Sequence, residues 1–474
     1  MNYTIDINSS CIDALNLINK NGGKGLIILK NKTAIGFITD GDVRRLILRG
    51  GDVKDNVKNA MKKDFKKVTR KPTYLETINM LEKGIKIIPI VSSSNEVIEV
   101  LDLKLISRIP IHDPRLVGNE LKYLTDCIET NWISSQGQYV DKFEKLFSKI
   151  HKSMFASSTS SGTSALELAF KAIKQKKDGY VLVPDLTFGA TLNAVINAGL
   201  TPLICLIKPD DFSFDLSSVN SDILSETAAI CFVHLYGSSS DINEIIELKK
   251  KYDFFIVEDC AEALGSLINN ERVGTFGDFS AFSFFGNKLI TTGEGGMILC
   301  KEEELINNIN LLKNHGMSNR RKYWHEVVGT NARMTNIQAA IGLGQLENLE
   351  KVVKKKRDIH DLYFQKLNNL DDKLTIWHES QELKSSYWLN TINIKKKIHL
   401  ENLLKMGSKR NIDFRRCFHP MHSLPAFKRY SMNNFDYRES CLIYDQLICL
   451  PSGLNLQNEQ INAVCESIVE SMNY

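Results

Sequence analysis

No apolar run in the sequence is long enough to cross a bilayer as a helix, which takes about 20 residues. Its first residues, MNYTIDINSS, carry neither the basic stretch nor the apolar core of a secretory signal. Paired cysteines are missing too: ten cysteines are scattered with no CxxC spacing, and several, such as Cys205 and Cys231, sit inside apolar stretches. Such residues behave as buried free thiols, which argues against a disulfide framework or a cysteine-bound metal. Nor is there a strong charge of one sign. The 60 Lys and Arg against 56 Asp and Glu leave +4, which gives no support to a nucleic-acid partner. A protein of the reducing cytoplasm, with neither membrane nor metal, is the expectation.

The charge present is uneven. Residues 1–107 hold 18 Lys and Arg against 12 Asp and Glu, a local excess that suits either a phosphate-bearing ligand or a solvated lysine-rich face. At 474 residues the chain can form two or three domains. A seam falls around SRIPIHDPRLVGNE, where two prolines and a polar run break the pattern. Ahead of it, CIDALNLINKNG precedes GLIILKNKTAIGFIT, and YLETINMLEKG precedes IKIIPIVSSSNEVIEVL. A helix followed by two turn-linked strands is thus written twice, as an internal duplication. The duplication resembles a tandem pair of CBS modules. That resemblance implies an α+β regulatory module over residues 1–107, with an adenine or guanine nucleotide held by Thr39, Asp42 and Asp102. Against it stand Glu99, a carboxylate where the first unit has Thr39, and the fitness of Asp42 as a plain helix cap. Docking or assembly is the other reading of this module.

Beyond the seam, apolar strands such as GYVLVPDL, TPLICLI, AAICFVHLYG, FFIVEDC, DFSAFSFF and GGMILC alternate with helices. Strands apolar along their whole length imply an α/β fold whose sheet is mostly parallel and buried on both faces. From about residue 345 the pattern turns helical and then mixed. A large domain over 108–345 and a smaller C-terminal subdomain over 346–474 follow.

The chemistry concentrates in GDFSAFSFFGNKLITTGEGGM, where Lys288 stands just past a strand among glycines and uncharged residues. Desolvation there would free its lone pair for a Schiff base. The strand FFIVEDCAEALG delivers Glu258 and Asp259 at its end, where ligands of open sheets bind. STSSGTSALELAF opens a helix with Gly162, Thr163 and Ser164, a hydroxyl-rich N-terminus able to hold a phosphate, and PDLTFGATLNAV offers Phe188 to stack on a ring. Surface lysine and helix cap are the bland readings of Lys288 and Asp259.

These segments, together with NWISSQGQYVDKFE, HLYG, LKNHGMS, GTNARMTNIQAAIGLGQL and FHPMHSLPAF, are similar to the DegT/DnrJ/EryC1/StrS sugar aminotransferases over residues 108–474. The resemblance implies a fold-type I, aspartate-aminotransferase-like fold and pyridoxal 5'-phosphate as cofactor. It makes Lys288 the Schiff-base lysine and proton shuttle, and pairs Asp259 with the ring nitrogen. Glu262 falls where the family binds the ring hydroxyl, Thr163, Ser164 and Ser283 hold the phosphate, and Phe188 stacks on the ring. Asn331 reaches the phosphate from a neighbouring subunit, which implies a homodimer or higher homo-oligomer with shared active sites. Substrate contacts are expected from Trp132, Ser135, His315, Arg320, Arg321, His325, Arg415, Arg416, His419 and His422.

Within the family, NWISSQG, FFGNKLITTGEGGM and HGMSNRRKYWHEVVGTNARMTN most resemble the perosamine-forming branch. That implies glutamate as amino donor, GDP-4-keto-6-deoxymannose as acceptor, and a place in O-antigen lipopolysaccharide synthesis. A UDP- or dTDP-linked keto sugar is the alternative. A histidine in place of Lys288 would have implied a dehydratase. The rival of another class, a nucleotide-sensing protein that keeps the fold, predicts a lost catalytic residue, and none is lost.

Overall fold

The computed structural model describes residues 3–473 apart from 153, 239–241 and 371. It forms two units, one ending at Ile109 with residues 458–460, the other spanning 110–457 and 461–474. No helix among the described residues is long and apolar enough to cross a membrane. Nine of the ten cysteines are buried and all ten are free.

In the first unit, β1 (Thr4–Asp6), β2 (Leu26–Lys30) and β3 (Thr33–Ile38) form one sheet, β1 parallel and β3 antiparallel to β2. Helix α1 (Cys11–Lys20) starts at a capping box between Ser10 and Asp13, and its Cys11, Ala14 and Ile18 stripe packs with Leu26, Ile28 and Ile38. Helix α2 (Asp40–Leu48) follows β3 directly. The second half, α3 (Tyr74–Glu82), β4 (Ile87–Val91), β5 (Val97–Asp102) and the short α4 (Leu103–Ile106), has its own two-stranded sheet.

No tandem CBS pair is discernible in this arrangement. The halves differ, three strands against two, in separate sheets. The side chains expected to hold a nucleotide are engaged with one another. Thr39 caps α2 and Asp42 caps Thr39 in return, with Thr39 Oγ1 donating to Asp42 Oδ2 at 2.6 Å. Asp42 also pairs with Arg45 and Lys62. Asp102 caps α4, accepts from Tyr3 at 3.0 Å and pairs with Lys24. A helix laid on a hairpin is the smallest way to bury one amphipathic face, so its repetition alone does not specify a family.

The second unit is built on a seven-stranded sheet in the order β6 (Phe155–Thr159), β12 (Gly296–Cys300), β11 (Phe279–Ser283), β10 (Phe255–Asp259), β9 (Thr227–Val233), β7 (Tyr180–Pro184), β8 (Thr201–Cys205). It is mixed rather than uniform: β12 runs antiparallel to both its neighbours, and the other pairings are parallel. Alternation sorts side chains between two cores. Leu182, Ile230, Ile256 and Phe282 join one cluster; Val183, Cys231, Val257 and Ala281 join the other. Helix α5 (Gln138–Ile150) covers the first face with Phe143 and Phe147, while α6 (Gly162–Lys176) and α7 (Ala190–Asn197) cover the second. Past α8 (Leu349–Leu367), an antiparallel sheet sets β13 (Leu374–Ile376), β14 (Asn390–Ile394), β16 (Leu447–Leu450) and β15 (Arg415–Arg416) side by side.

Asp102 ties together Tyr3, Lys24 and the start of α4. Its replacement by alanine leaves Lys24 without its partner and α4 without its cap, at a cost of about 3 kcal/mol. The expected outcome is faster amide hydrogen exchange across β5 and α4; unchanged exchange would refute the assignment.

Candidate active site

The carboxyl ends of β7, β9, β10 and β11 converge on one cavity of about 430 Å³. The polypeptide past β11 turns sharply, with the Lys288 N–H donating to the Phe285 carbonyl at 2.9 Å. Thr291 and Thr292 return hydrogen bonds to the Phe284 carbonyl, and Gln345 clamps the backbone of Thr291 from both sides. The lysine is therefore displayed on a braced loop. Its Nζ lies 3.3 Å from Glu262 Oε1 and 4.1 Å from the centre of the Trp388 ring.

Glu262 is buried, and its other oxygen accepts from the Tyr236 N–H at 3.0 Å. Burial pushes its carboxyl up, and the Lys288 charge opposes this without cancelling it. Tyr236 itself sits at φ +56°, a left-handed backbone that costs a non-glycine residue about 1 kcal/mol or more. The bond to Glu262 and the buried Tyr236 ring, its plane nearly parallel to those of Trp388 and Phe418, hold it there.

Asp259, the last residue of β10, is also buried. It accepts from Thr191 Oγ1 at 2.9 Å and from the Ala261 N–H at 3.2 Å. Burial raises its proton affinity, the Thr191 hydroxyl pulls the other way, and the net direction is up. Among the described residues no cation lies within ion-pair distance of it. Glu258 points to the opposite face, where the amides of Gly274, Phe276 and Gly277 and the His234 ring satisfy it. It secures a loop, and only Asp259 faces the cavity.

Ser161 caps α6 by accepting from the Ser164 N–H at 3.1 Å. Gly162 begins the helix so close to β11 that an added Cβ would lie 2.7 Å from Ser283 Cβ. Gly162, Thr163 and Ser283 consequently form one polar wall, where first-turn N–H groups have no intrahelical acceptor. Ser164 is turned away, bonded to Ser161 and Ser160. Phe188 lines the cavity and tilts against Phe418, ring centres 5.6 Å apart.

These residues fit pyridoxal phosphate. A buried carboxylate lacking a cation suits a protonated ring nitrogen, the helix start suits the phosphate, and the Lys288 amine suits the aldehyde carbon.

The expected substrate residues divide. Arg415 and Arg416 line the cavity, Arg416 paired with Glu401. His422 is clamped by Asp185 at 2.7 Å and His419 is bonded to Tyr444 at 3.0 Å, both outside the lining. Trp132, Ser135, His315, Arg320, Arg321, His325 and Asn331 do not line it either, and all but Ser135 are exposed. Sequence reasoning did not single out Tyr236, Trp388, Asn287 or Thr191. Tyr236 could have been found in HLYG, since that motif ends a central strand.

The model of the DegT/DnrJ/EryC1/StrS aminotransferase family matches residues 114–469. The chain is 39% identical over 365 residues to the GDP-perosamine synthase of Escherichia coli O157:H7, covering 76% of this chain and 98% of that protein. It is 37% identical over 374 residues to the GDP-perosamine synthase of Vibrio cholerae, covering 77% and 99%. The solved structure of Helicobacter pylori PseC, an aminotransferase involved in the biosynthesis of pseudoaminic acid, matches with a TM-score of 0.72 at 25% identity, covering 77% of this chain and 99% of its own.

The buried charge on Asp259 gives a pH-dependent test. With its folded proton affinity raised, the folded state binds more protons than the unfolded state above pH 3.8, so stability falls as pH rises from there and a penalty remains at neutral pH. Without cofactor, Asp259→Asn should therefore melt higher than wild type at pH 7. With pyridoxal phosphate added, the wild type should gain more than the variant. Equal gains in thermal melts would exclude Asp259 as the ring-nitrogen partner.

Proposed function

From the premise that this chain belongs to the DegT/DnrJ/EryC1/StrS aminotransferase family and is a pyridoxal-phosphate-dependent aminotransferase, we propose its reaction. It transfers the amino group of glutamate to a nucleotide-linked 4-keto-6-deoxy sugar, GDP-4-keto-6-deoxymannose, to give GDP-perosamine. The observation that carries the reading is the Lys288 amine, held 3.3 Å from Glu262 in the cavity that Asp259 also lines. Near-full-length identity to two GDP-perosamine synthases supports the choice of sugar. A UDP- or dTDP-linked keto sugar is the second reading, favoured by 30% identity over 357 residues to the dTDP-3-amino-3,6-dideoxy-alpha-D-galactopyranose transaminase of Aneurinibacillus thermoaerophilus.

Bound pyridoxal phosphate supplies an electron sink for the charge left when a proton leaves the amino carbon. The protein supplies the rest. Lys288 Nζ would take that proton and return it to the carbon on the other side of the transferred nitrogen, then reverse the transfer in the second half-reaction, so the net change is an amino group exchanged for a keto oxygen. Asp259 keeps the ring side negative, and Glu262 and Trp388 confine the swing of the lysine. Arg415, on the wall, is placed to meet an anionic group of donor or nucleotide.

The exposed stretches carrying Trp132 and Asn331 complete the site of a second copy in this reading, making the enzyme a homodimer of the cytoplasm. Lys288→Ala should abolish turnover and the visible absorbance of the purified protein; full activity would overturn the mechanism. Mixing Lys288→Ala with an inactive Asn331→Ala protein should recover part of the activity through mixed dimers, and an active monomer in sedimentation would defeat the shared site. Mass spectrometry of products from a panel of GDP-, UDP- and dTDP-linked keto sugars with glutamate decides the acceptor, with amination of the GDP sugar expected.

A further inference from the structure

Helix α8 carries the lysine-rich run KVVKKKRDIHDLY, in which most basic side chains meet solvent. Lys356 does not. It shares the inward stripe with Val353, Ile359 and Tyr363 and is fully buried. An apolar residue would suit that position, since burying an ammonium without a carboxylate costs several kcal/mol. Among the described residues Lys356 has no ion-pair partner; it donates to the backbone carbonyls of Trp388, at 2.8 Å, and of Ser452.

Trp388 leads from that carbonyl to the site. Its indole N–H donates to the Asn287 carbonyl at 2.7 Å, and its ring face lies 4.1 Å from Lys288 Nζ. Tyr236 stacks with its plane nearly parallel to the indole, 6.2 Å between centres. The residue preceding the reactive lysine and the aromatic surface beneath its amine are thus both fixed by one side chain, whose own backbone Lys356 holds. His112 adds to the setting: both ring nitrogens are buried without a partner, and burial, followed by the charges of Lys356, Lys288 and Arg415, holds it neutral.

We propose that Lys356 is a positioning residue for Lys288: by holding the Trp388 and Ser452 carbonyls it fixes the Trp388 ring beneath the reactive amine. Glu262 and the Trp388 ring face are what meets the Lys288 amine directly, so the placing of the indole sets where that amine lies in the cavity. Burial pushes the Lys356 amine down to about 7, so it carries its charge on the acid side of neutrality and withdraws it above.

The proposal rests on Lys288 being the cofactor's lysine, which the visible band of the wild-type holoenzyme reports independently. Lys356→Met keeps the length and removes the charge and donors. Expected are a kcat lowered at least tenfold, a KM for glutamate within threefold of wild type, and a pH midpoint of the cofactor's visible absorbance displaced by about half a unit or more. A role in stability alone would lower Tm and leave kcat and the midpoint in place, and that result would overturn the proposal. Should Lys356→Met not fold, Trp388→Phe keeps an aromatic floor but cuts the link to Asn287. A lowered kcat with a displaced midpoint is expected there too, and wild-type values for both would equally overturn it.

Discussion

Burying Asp259 at the end of a central strand raises the energy of its ionised form, and no described residue within ion-pair distance neutralises it. The Thr191 hydroxyl and the Ala261 N–H orient the carboxylate and offset only part of the burial. Such a site is at odds with itself until a cation arrives, the role proposed above for the protonated ring of pyridoxal phosphate. In that reading cofactor affinity and folding stability are coupled through one residue. The other parts of the cavity follow from where β10 delivers it: the Lys288 loop leaves the neighbouring β11, and the start of α6 abuts the end of β11 at Ser283.

Two further glutamates, Glu258 and Glu262, lie within three residues of Asp259 and have different fates. Glu258 faces the other side of the strand, accepts three amide hydrogens and the His234 ring, and is held below the usual carboxylate range despite complete burial. Glu262 has one amide and the lysine, and is pushed up. Supply of hydrogen-bond donors, rather than burial, separates the structural carboxylate from the reactive ones.

Lys288, Asp259, Thr163, Ser283 and Phe188 were legible because each stands at a strand end or helix start, positions that local pattern marks and that an α/β sheet gathers at one edge. Ser164 was assigned to the phosphate because the sequence marks a hydroxyl-rich turn without saying which hydroxyl caps the helix; Ser161 engages it and turns it away. Trp388 was hidden for a different reason: it comes from the C-terminal segment 100 residues beyond Lys288, and only tertiary packing places it under the amine. The reversed direction of β12 was also illegible, since GMILC is apolar on both faces and looks the same either way. In the first unit the helices and hairpins could be read, but kinship could not, because Thr39 with Asp42 makes a capping box whether or not a ligand is near.

The stretch 315–331 bears on how the site is completed. It exposes Tyr323, Trp324 and Val328, the last almost wholly. Yet it is not loosely held: Glu326 donates to the Gly316 carbonyl at 2.7 Å, Ser318 to the Trp324 carbonyl at 2.8 Å, and His325 contacts the His315 carbonyl at 2.8 Å. Gly316 lies so close to the Val327 carbonyl that no side chain could replace its hydrogen, and its φ of +67° points the same way. Ordering a ribbon while leaving its apolar residues in water forfeits burial of about 25 cal/mol for each Å². A defined shape with an exposed apolar face is what an interface looks like before its partner is added. Asn331 stands at the end of the same ribbon, bridged to Asn314 and outside its own chain's cavity, which is why the proposed function gives it to a second copy.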